Sequence, residues 1–320
     1  MNPRPDGEAT EVGTTRRSVL VALAVNCAET LALGVAALVT ASVALRAQTA
    51  ANAADVAVGV FLIIGVLSSA RPADETHPLG HGRERFFWSL FAALAIFVGG
   101  GGLALAEAVR SVLDPPAIDD FRMAYLVLGT TVVLDTIALV IALRPLRRLA
   151  AGRGLSLRAY ARRSTDPAAI TVVVGGGCAV IGAVIATARL LGTEATGSSM
   201  PDTVASALIG IMLLAASVLL LRTNRDLLSG RGVAPSMLRE MRLVVAAQPG
   251  VVEVPDLFAV VVGPSSLIVI GDVTFADDLN VPAVERTIAQ ATAALRDRWR
   301  SIDYVYLTPV PDHRPRGHGA

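Results

Sequence analysis

An aspartate in the middle of an apolar run long enough to cross a bilayer constrains this chain more than any other feature. The run extends from Ser42 to Ser69, and within it Gln48, Asn52 and Asp55 fall at i, i+4 and i+7, so three polar side chains share one helical face. A carboxylate at that depth costs roughly 2.5 to 3.5 kcal/mol on insertion scales unless it is paired or functional. Asp55 is therefore a candidate functional group from position alone. The loop that leaves the run, Arg71-Pro-Ala-Asp-Glu-Thr-His-Pro-Leu-Gly-His-Gly-Arg83, adds Asp74, His77 and His81. One carboxylate and two imidazoles at i, i+3 and i+7 suit zinc and similar divalent metals. The alternative reading of that triplet is a polar turn shaped by Pro78 and Gly80.

The rest of the chain agrees with a membrane setting. It is 53% hydrophobic with a mean hydropathy of +0.58. Six segments, about 18–39, 42–69, 86–113, 122–145, 167–191 and 201–222, are near or above the roughly 20 residues a bilayer demands. Only Thr40-Ala41-Ser42 separates the first two, which reads as a tight hairpin. Gly99–Gly102 and Gly175–Gly177, fatal to a soluble helix, read as close helix approach in lipid. Acidic residues recur within the spans as Glu29, Asp55, Glu107 and Asp135. Glu107 reads as interfacial; the deeper three read as facing the bundle interior or a water-filled path and marking ion or proton routes, with a structural hydrogen-bond network as the alternative for Asp135 and, more so, for Glu29. Cys27 and Cys178 lie within apolar runs without C-x-x-C spacing and read as small buried hydrophobes.

Arginine placement sets the orientation. Every one of the 28 basic residues is Arg. They gather in the N-terminal arm (Arg4, Arg16, Arg17), the second loop (Arg71, Arg83, Arg85) and the fourth loop (Arg144 to Arg163), whereas the third and fifth loops are acidic or neutral. The positive-inside rule then puts both termini and the Asp74–His81 loop on the cytoplasmic side. Residues 1–15 read as a disordered arm, and the apolar run after Arg17 is too long for a signal peptide.

After residue 222 the pattern becomes that of a soluble domain. A polar linker over 223–235 leads to a helix capped by Ser236 and stopped by Pro249-Gly250. β-Branched runs at Val251–Val262 and Leu267–Phe275 flank a turn at Gly263–Ser266, followed by a helix over about 281–299 and a strand at Ile302–Leu307. The order αββαβ over 236–310 predicts a ferredoxin-like α+β domain, small enough to favour self-association. Residues 311–320, with His313 and His318, read as a disordered tail. The chain is thus expected to be an α-helical membrane protein with a six-span domain over 16–222 and a cytoplasmic α+β domain.

The six spans with a small C-terminal domain, the run from Arg71 to Arg83, and Asp202-Thr-Val-Ala-Ser-Ala-Leu-Ile-Gly210 resemble the cation diffusion facilitator family of metal/proton antiporters. Ser164-Thr-Asp-Pro167 at the start of the fifth span brings it closest in appearance to the zinc transporter nine-like subgroup. The resemblance implies a plasma-membrane homodimer that exchanges a cytoplasmic divalent cation for protons. It requires no cofactor, no enzyme chemistry and no nucleic-acid partner, and the chain has no nucleophile–base pair, phosphate loop or zinc-protease motif. It also implies a tetrahedral site from paired ligands on spans two and five, which fall here on Ala51 with Asp55 and on Val172 with Gly176. Only Asp55 is a ligand. The family's second-loop site falls on Asp74, His77 and His81 and is complete. Gln48, Asn52 and Asp135 are available as substitute donors beside Asp55, an oxygen set that suits Mn²⁺ better than Zn²⁺. The alternative is a lapsed member that senses metal or binds a partner without transporting.

Overall fold

The computed structural model describes residues 6–40, 43–113, 121–152, 154, 156, 157, 159, 166–198 and 200–311. Helices α1 (Asp6–Thr40) and α2 (Val43–Ser68) are followed by α3 (Glu84–Ala95), a π-helical segment (Ile96–Gly102) and α4 (Leu103–Leu113). Then come α5 (Phe121–Gly152), α6 (Pro167–Thr196) and α7 (Met200–Leu228). Five described stretches are long and apolar enough to span a bilayer, and α2 adds the apolar stretch Asn52–Ser68. Leu31, Leu38 and Val39 are 70%, 78% and 81% exposed. Such exposure is at home against lipid tails, where helix association depends on packing and not on hiding apolar surface from water.

The N-terminal half of α6 is the hub of the packing. Ala168 joins Val19, Leu62, Ile63, Val66 and Ala92 from α1, α2 and α3. Ala169 packs with Leu143, Leu146 and Ala150 of α5, and Ile170 with Ala93 and Leu220 of α3 and α7. A buried ion pair locks the same end, with Arg85 Nη1 donating to Asp166 Oδ2 at 3.0 Å and Arg85 Nε to Ser69 Oγ at 3.1 Å. Asp166 also caps α6 by accepting from Ala168 N–H, and Pro167 at the first turn needs no such acceptor. Toward the other end Arg189 Nη1 donates to Asp202 Oδ1 at 2.5 Å and ties α6 to α7.

The two glycine runs behave differently. A Cβ on Gly99 would meet the Ala54 Cβ at 2.6 Å, and one on Gly101 would meet Leu214 at 2.6 Å, so the π-helical segment sits tight against α2 and α7. Gly175 and Gly177 have open space where a Cβ would go, so close packing explains only Gly176 of the second run. Cys27 is exposed, contrary to the expectation of a buried hydrophobe, at an apolar cleft shared with Thr49 and Val56 of α2, and Cys178 is half-buried.

A second compact unit begins at Asp226. It contains α8 (Pro235–Ala246), β1 (Val251–Glu253), β2 (Leu257–Gly263), β3 (Ser266–Phe275), α9 (Val281–Arg298) and β4 (Ile302–Pro309). β3 is central, antiparallel to β1 and β2 and parallel to β4. The single strand expected at 251–262 is split, because Pro255 cannot donate to the ladder; Arg242 Nη1 of α8 holds the kink by donating to the Val254 and Pro255 carbonyls. Ser236 is not the cap of α8: Ala234 occupies that position and Pro235 takes the first turn.

Two further boundaries differ. α1 already runs from Asp6, reaching into the arm expected over 1–15. α7 continues to Leu228, and within the expected linker Val233 N–H donates to the Ala259 carbonyl while Val261 N–H donates to the Arg231 carbonyl, which covers the β2 edge. His313 and His318 lie outside the described residues.

Candidate metal centres

The loop triplet is assembled as the spacing predicts. Donor atoms of Asp74, His77 and His81 all lie within 4.8 Å of one another, and the two imidazole centroids are 4.1 Å apart. Gly80, at φ 76°, supplies the left-handed residue that folds the loop back. Asp74 Oδ1 accepts from the Thr76 hydroxyl at 2.7 Å, the Thr76 N–H at 2.9 Å and the His77 N–H at 2.7 Å. These bonds, the Thr76 hydroxyl foremost, hold the Asp74 carboxyl at about 2, below its usual range.

The hydrogen bonds also assign the imidazole tautomers. A carboxylate only accepts, so the Thr76 hydroxyl spends its proton on Asp74 and receives His77 Nδ1–H at 2.9 Å. His81 Nδ1 lies 3.2 Å from the Pro72 carbonyl and donates to it. Both rings then present Nε2 as a lone pair, and His81 Nε2 faces Asp74 Oδ2 at 3.5 Å. A backbone carbonyl fixing one ring nitrogen while the other is left for a metal is the usual arrangement behind a histidine ligand. His81 is buried whereas Asp74 and His77 are exposed, so the site opens on one side.

The intramembrane group is a different assembly. Glu29 of α1 lies within electrostatic reach of Asn52 and Asp55 on α2 and of Asp135 on α5. Asp55 and Asp135 likewise act on each other. Glu29 and Asn52 are 6% and 8% exposed. Asp55 itself is exposed on α2. The Gln48 and Ala51 side chains lie outside the described residues.

The family's fifth-span positions do not join this group. Val172 packs into the apolar cluster around Leu62 and Val66. Gly176 is buried against α5, where an added Cβ would lie 2.3 Å from Leu139 Cδ1. Sequence reasoning offered Asn52, and Asp135 if the fourth span approaches, as donors beside Asp55, and read Glu29 as facing the bundle interior, with a structural hydrogen-bond network as the alternative.

A family model described as the cation efflux transmembrane domain matches residues 19–229. The chain is 29% identical over 222 residues to metal tolerance protein C4 of Arabidopsis thaliana, covering 69% of this chain and 49% of that protein. It is 28% identical over 245 residues to the human mitochondrial proton-coupled zinc antiporter SLC30A9, covering 77% and 43%. Metal cation efflux system protein CzcD of Cupriavidus metallidurans is 28% identical over 263 residues, covering 80% and 76%. The chain thus spans about half, or less, of the length of the plant and animal relatives. With the match running from α1 to the end of α7, this multi-pass membrane protein belongs to the cation efflux, or cation diffusion facilitator, family.

Proposed function

We propose that the chain is a divalent cation antiporter that moves a cytoplasmic metal ion out across the plasma membrane in exchange for protons, working as a homodimer. The observation that carries the reading is Asp55. It is the one family ligand retained in the bundle, it is accessible, and other carboxylates stand beside it. Proton coupling follows from the resemblance and from a relative whose name carries it. Oxygen donors around Asp55 favour a hard cation such as Mn²⁺ over Zn²⁺, while the Asp74–His77–His81 loop offers nitrogen and oxygen to an ion approaching from the cytoplasm.

The test is flux in proteoliposomes under a pH gradient. Mn²⁺ should move faster than Zn²⁺, and Asp55→Asn, which keeps size and an oxygen but removes charge, should abolish the movement without unfolding the protein. Undiminished flux in Asp55→Asn would overturn the assignment. For orientation, a tag after Ala320 should be reachable only from the cytoplasm and a label in 192–200 only from outside.

A second reading is a lapsed transporter, a dimeric membrane sensor that binds metal or a protein partner. Val172 and Gly176 favour it, since they remove the fifth-span ligands while the loop triplet stays intact. No flux of any divalent cation, with metal still bound at the loop, would select this reading over the first.

A further inference from the structure

We infer that Arg85 is a positioning residue for the loop metal centre: its guanidinium clips the two legs of the loop together at Ser69 and ties them to the start of α6 at Asp166, so that metal at Asp74, His77 and His81 and the anchoring of α6 stabilise one another. The inference rests on the reading of that loop as a metal site and names the residue that sets its geometry.

The three ligands are not held alike. Asp74 and His77 belong to one turn, fixed locally by Thr76 and by the His77 N–H that Asp74 Oδ1 accepts. His81 stands on the other leg and meets Asp74 across the loop, with Nε2 3.5 Å from Oδ2. That separation depends on how the legs are joined. Near the ligands the join is one bond, His81 Nδ1 to the Pro72 carbonyl at 3.2 Å. The base is held more firmly. The Glu84 N–H donates to the His81 carbonyl at 3.0 Å, and the next residue is Arg85, 1% exposed. The Ser69 hydroxyl spends its proton on the Val66 carbonyl at 3.1 Å, which leaves it to accept from Arg85 Nε. Ser69 follows the last residue of α2 and Arg85 is the second of α3, so one side chain closes the loop where it leaves one helix and enters the next. Gly65 permits the approach: a Cβ there would lie 2.9 Å from Trp88 Cβ and 3.5 Å from Arg85 Cα, so a larger residue would push α3 away.

The same guanidinium carries the join to α6. Its Nη1 donates to Asp166 Oδ2, while Asp166 Oδ1 caps α6 at the Ala168 N–H. A planar fork with donors in fixed geometry serves both acceptors at once, whereas an ammonium is a point charge on a flexible stem. Outer partners that orient a metal ligand matter to affinity nearly as the ligand does. Coupling between a bound ion and such a contact is reciprocal.

The test uses the full chain in nanodiscs with Zn²⁺ as the probe, calorimetry for affinity, and hydrogen exchange at Ala168 and Ile170 for the start of α6. Arg85→Lys, which keeps the charge, and Ser69→Ala, which removes one acceptor and no charge, should each weaken Zn²⁺ about tenfold. Zn²⁺ should slow exchange at Ala168 and Ile170 in the parent and leave it unchanged in both variants. Leu190→Ala, at a buried position near the other end of α6, should lower the unfolding midpoint and bind Zn²⁺ as the parent does. Parent-like affinity in Arg85→Lys and Ser69→Ala overturns the inference and leaves the loop site standing. An equal loss of affinity in Leu190→Ala also overturns it, since general loosening of the bundle would then explain the effect. Unslowed exchange in the parent breaks the link to α6. If His81→Ala binds Zn²⁺ as the parent does, the loop is no metal site and the inference falls with that reading.

Discussion

Leu139 of α5 occupies the space that a side chain on Gly176 of α6 would take, with its Cδ1 2.3 Å from where a Cβ would lie and Leu143 Cδ1 at 3.7 Å. Installing the family's missing ligands as Ala51→His, Val172→His and Gly176→Asp looks like a simple repair. The contact predicts that it fails. Gly176→Asp should overpack the α5–α6 contact, costing about 1–3 kcal/mol, and should add a carboxylate to an apolar wall. The expected result is a lower unfolding midpoint and unchanged zinc affinity, with Leu139→Ala in the same chain recovering part of the midpoint. Tight zinc binding by the triple variant alone would mean that α5 and α6 separate more readily than this packing allows.

Arg85 is 1% exposed and ion-paired to Asp166, 81 residues away. Removing one partner of a buried pair leaves the other uncompensated, a loss of about 3–5 kcal/mol. Arg85→Ala should therefore destabilise strongly in a detergent unfolding assay, and Asp166→Asn less, because an Asn can still accept from Ala168 N–H as the cap of α6. The double variant should be less damaged than the sum of the two. Strict additivity would indicate that α3 and α6 are held by packing around Ala93 and Ile170 and not by the pair.

The loop turn should survive acid that strips its metal. Asp74 is depressed from 3.8 to about 2 by the Thr76 hydroxyl first and the His77 N–H next. A carboxyl lowered in the folded state contributes stability above its unfolded value, and that contribution is lost only as pH falls from about 4 toward 2. Zinc release in milder acid should therefore leave the turn folded. Thr76→Val should raise the Asp74 titration midpoint, measured by NMR, and weaken Zn²⁺ several-fold because His77 Nδ1 loses its acceptor. An unmoved Asp74 midpoint would mean that the backbone amides alone hold the carboxylate.

The loop cluster was legible because Asp74, His77 and His81 fall within eight residues, so a single turn brings them together. The spans were legible because length and apolarity are local properties. The rotation of α1 was not: its exposed and buried sides are both apolar, as Leu31 and Val19 illustrate, so no periodic pattern announces which way the helix turns. The boundaries at Ser236 and 251–262 went astray over proline, since Pro235 claimed the first turn of α8 and Pro255 broke the strand.

The last prediction concerns the sheet of the C-terminal unit. Phe258, Ile270 and Tyr306 are in register across β2, β3 and β4 and are 58%, 47% and 54% exposed. Beside them Tyr304 stacks on Tyr306 at 6.5 Å. The opposite face carries Ala259, Val261, Val269 and Val273, all buried. A four-stranded sheet with one face buried and an exposed apolar row across β2, β3 and β4 on the other is poorly suited to water, and such a patch marks an interaction surface. In the proposed homodimer the bare faces should bury one another. Ile270→Asp places a charge at the centre of that row without touching the covered side, so the full chain in nanodiscs should dissociate at least tenfold more readily, as read by mass photometry over a dilution series. Tyr306→Ser should do the same more weakly from the β4 edge. Val252, 60% exposed on the short β1, lies off this row, and Val252→Asp should leave the dimer intact. Equal dimerisation in the parent, Ile270→Asp and Tyr306→Ser would move the interface to the membrane spans and leave the sheet face to a partner other than a second copy of the chain.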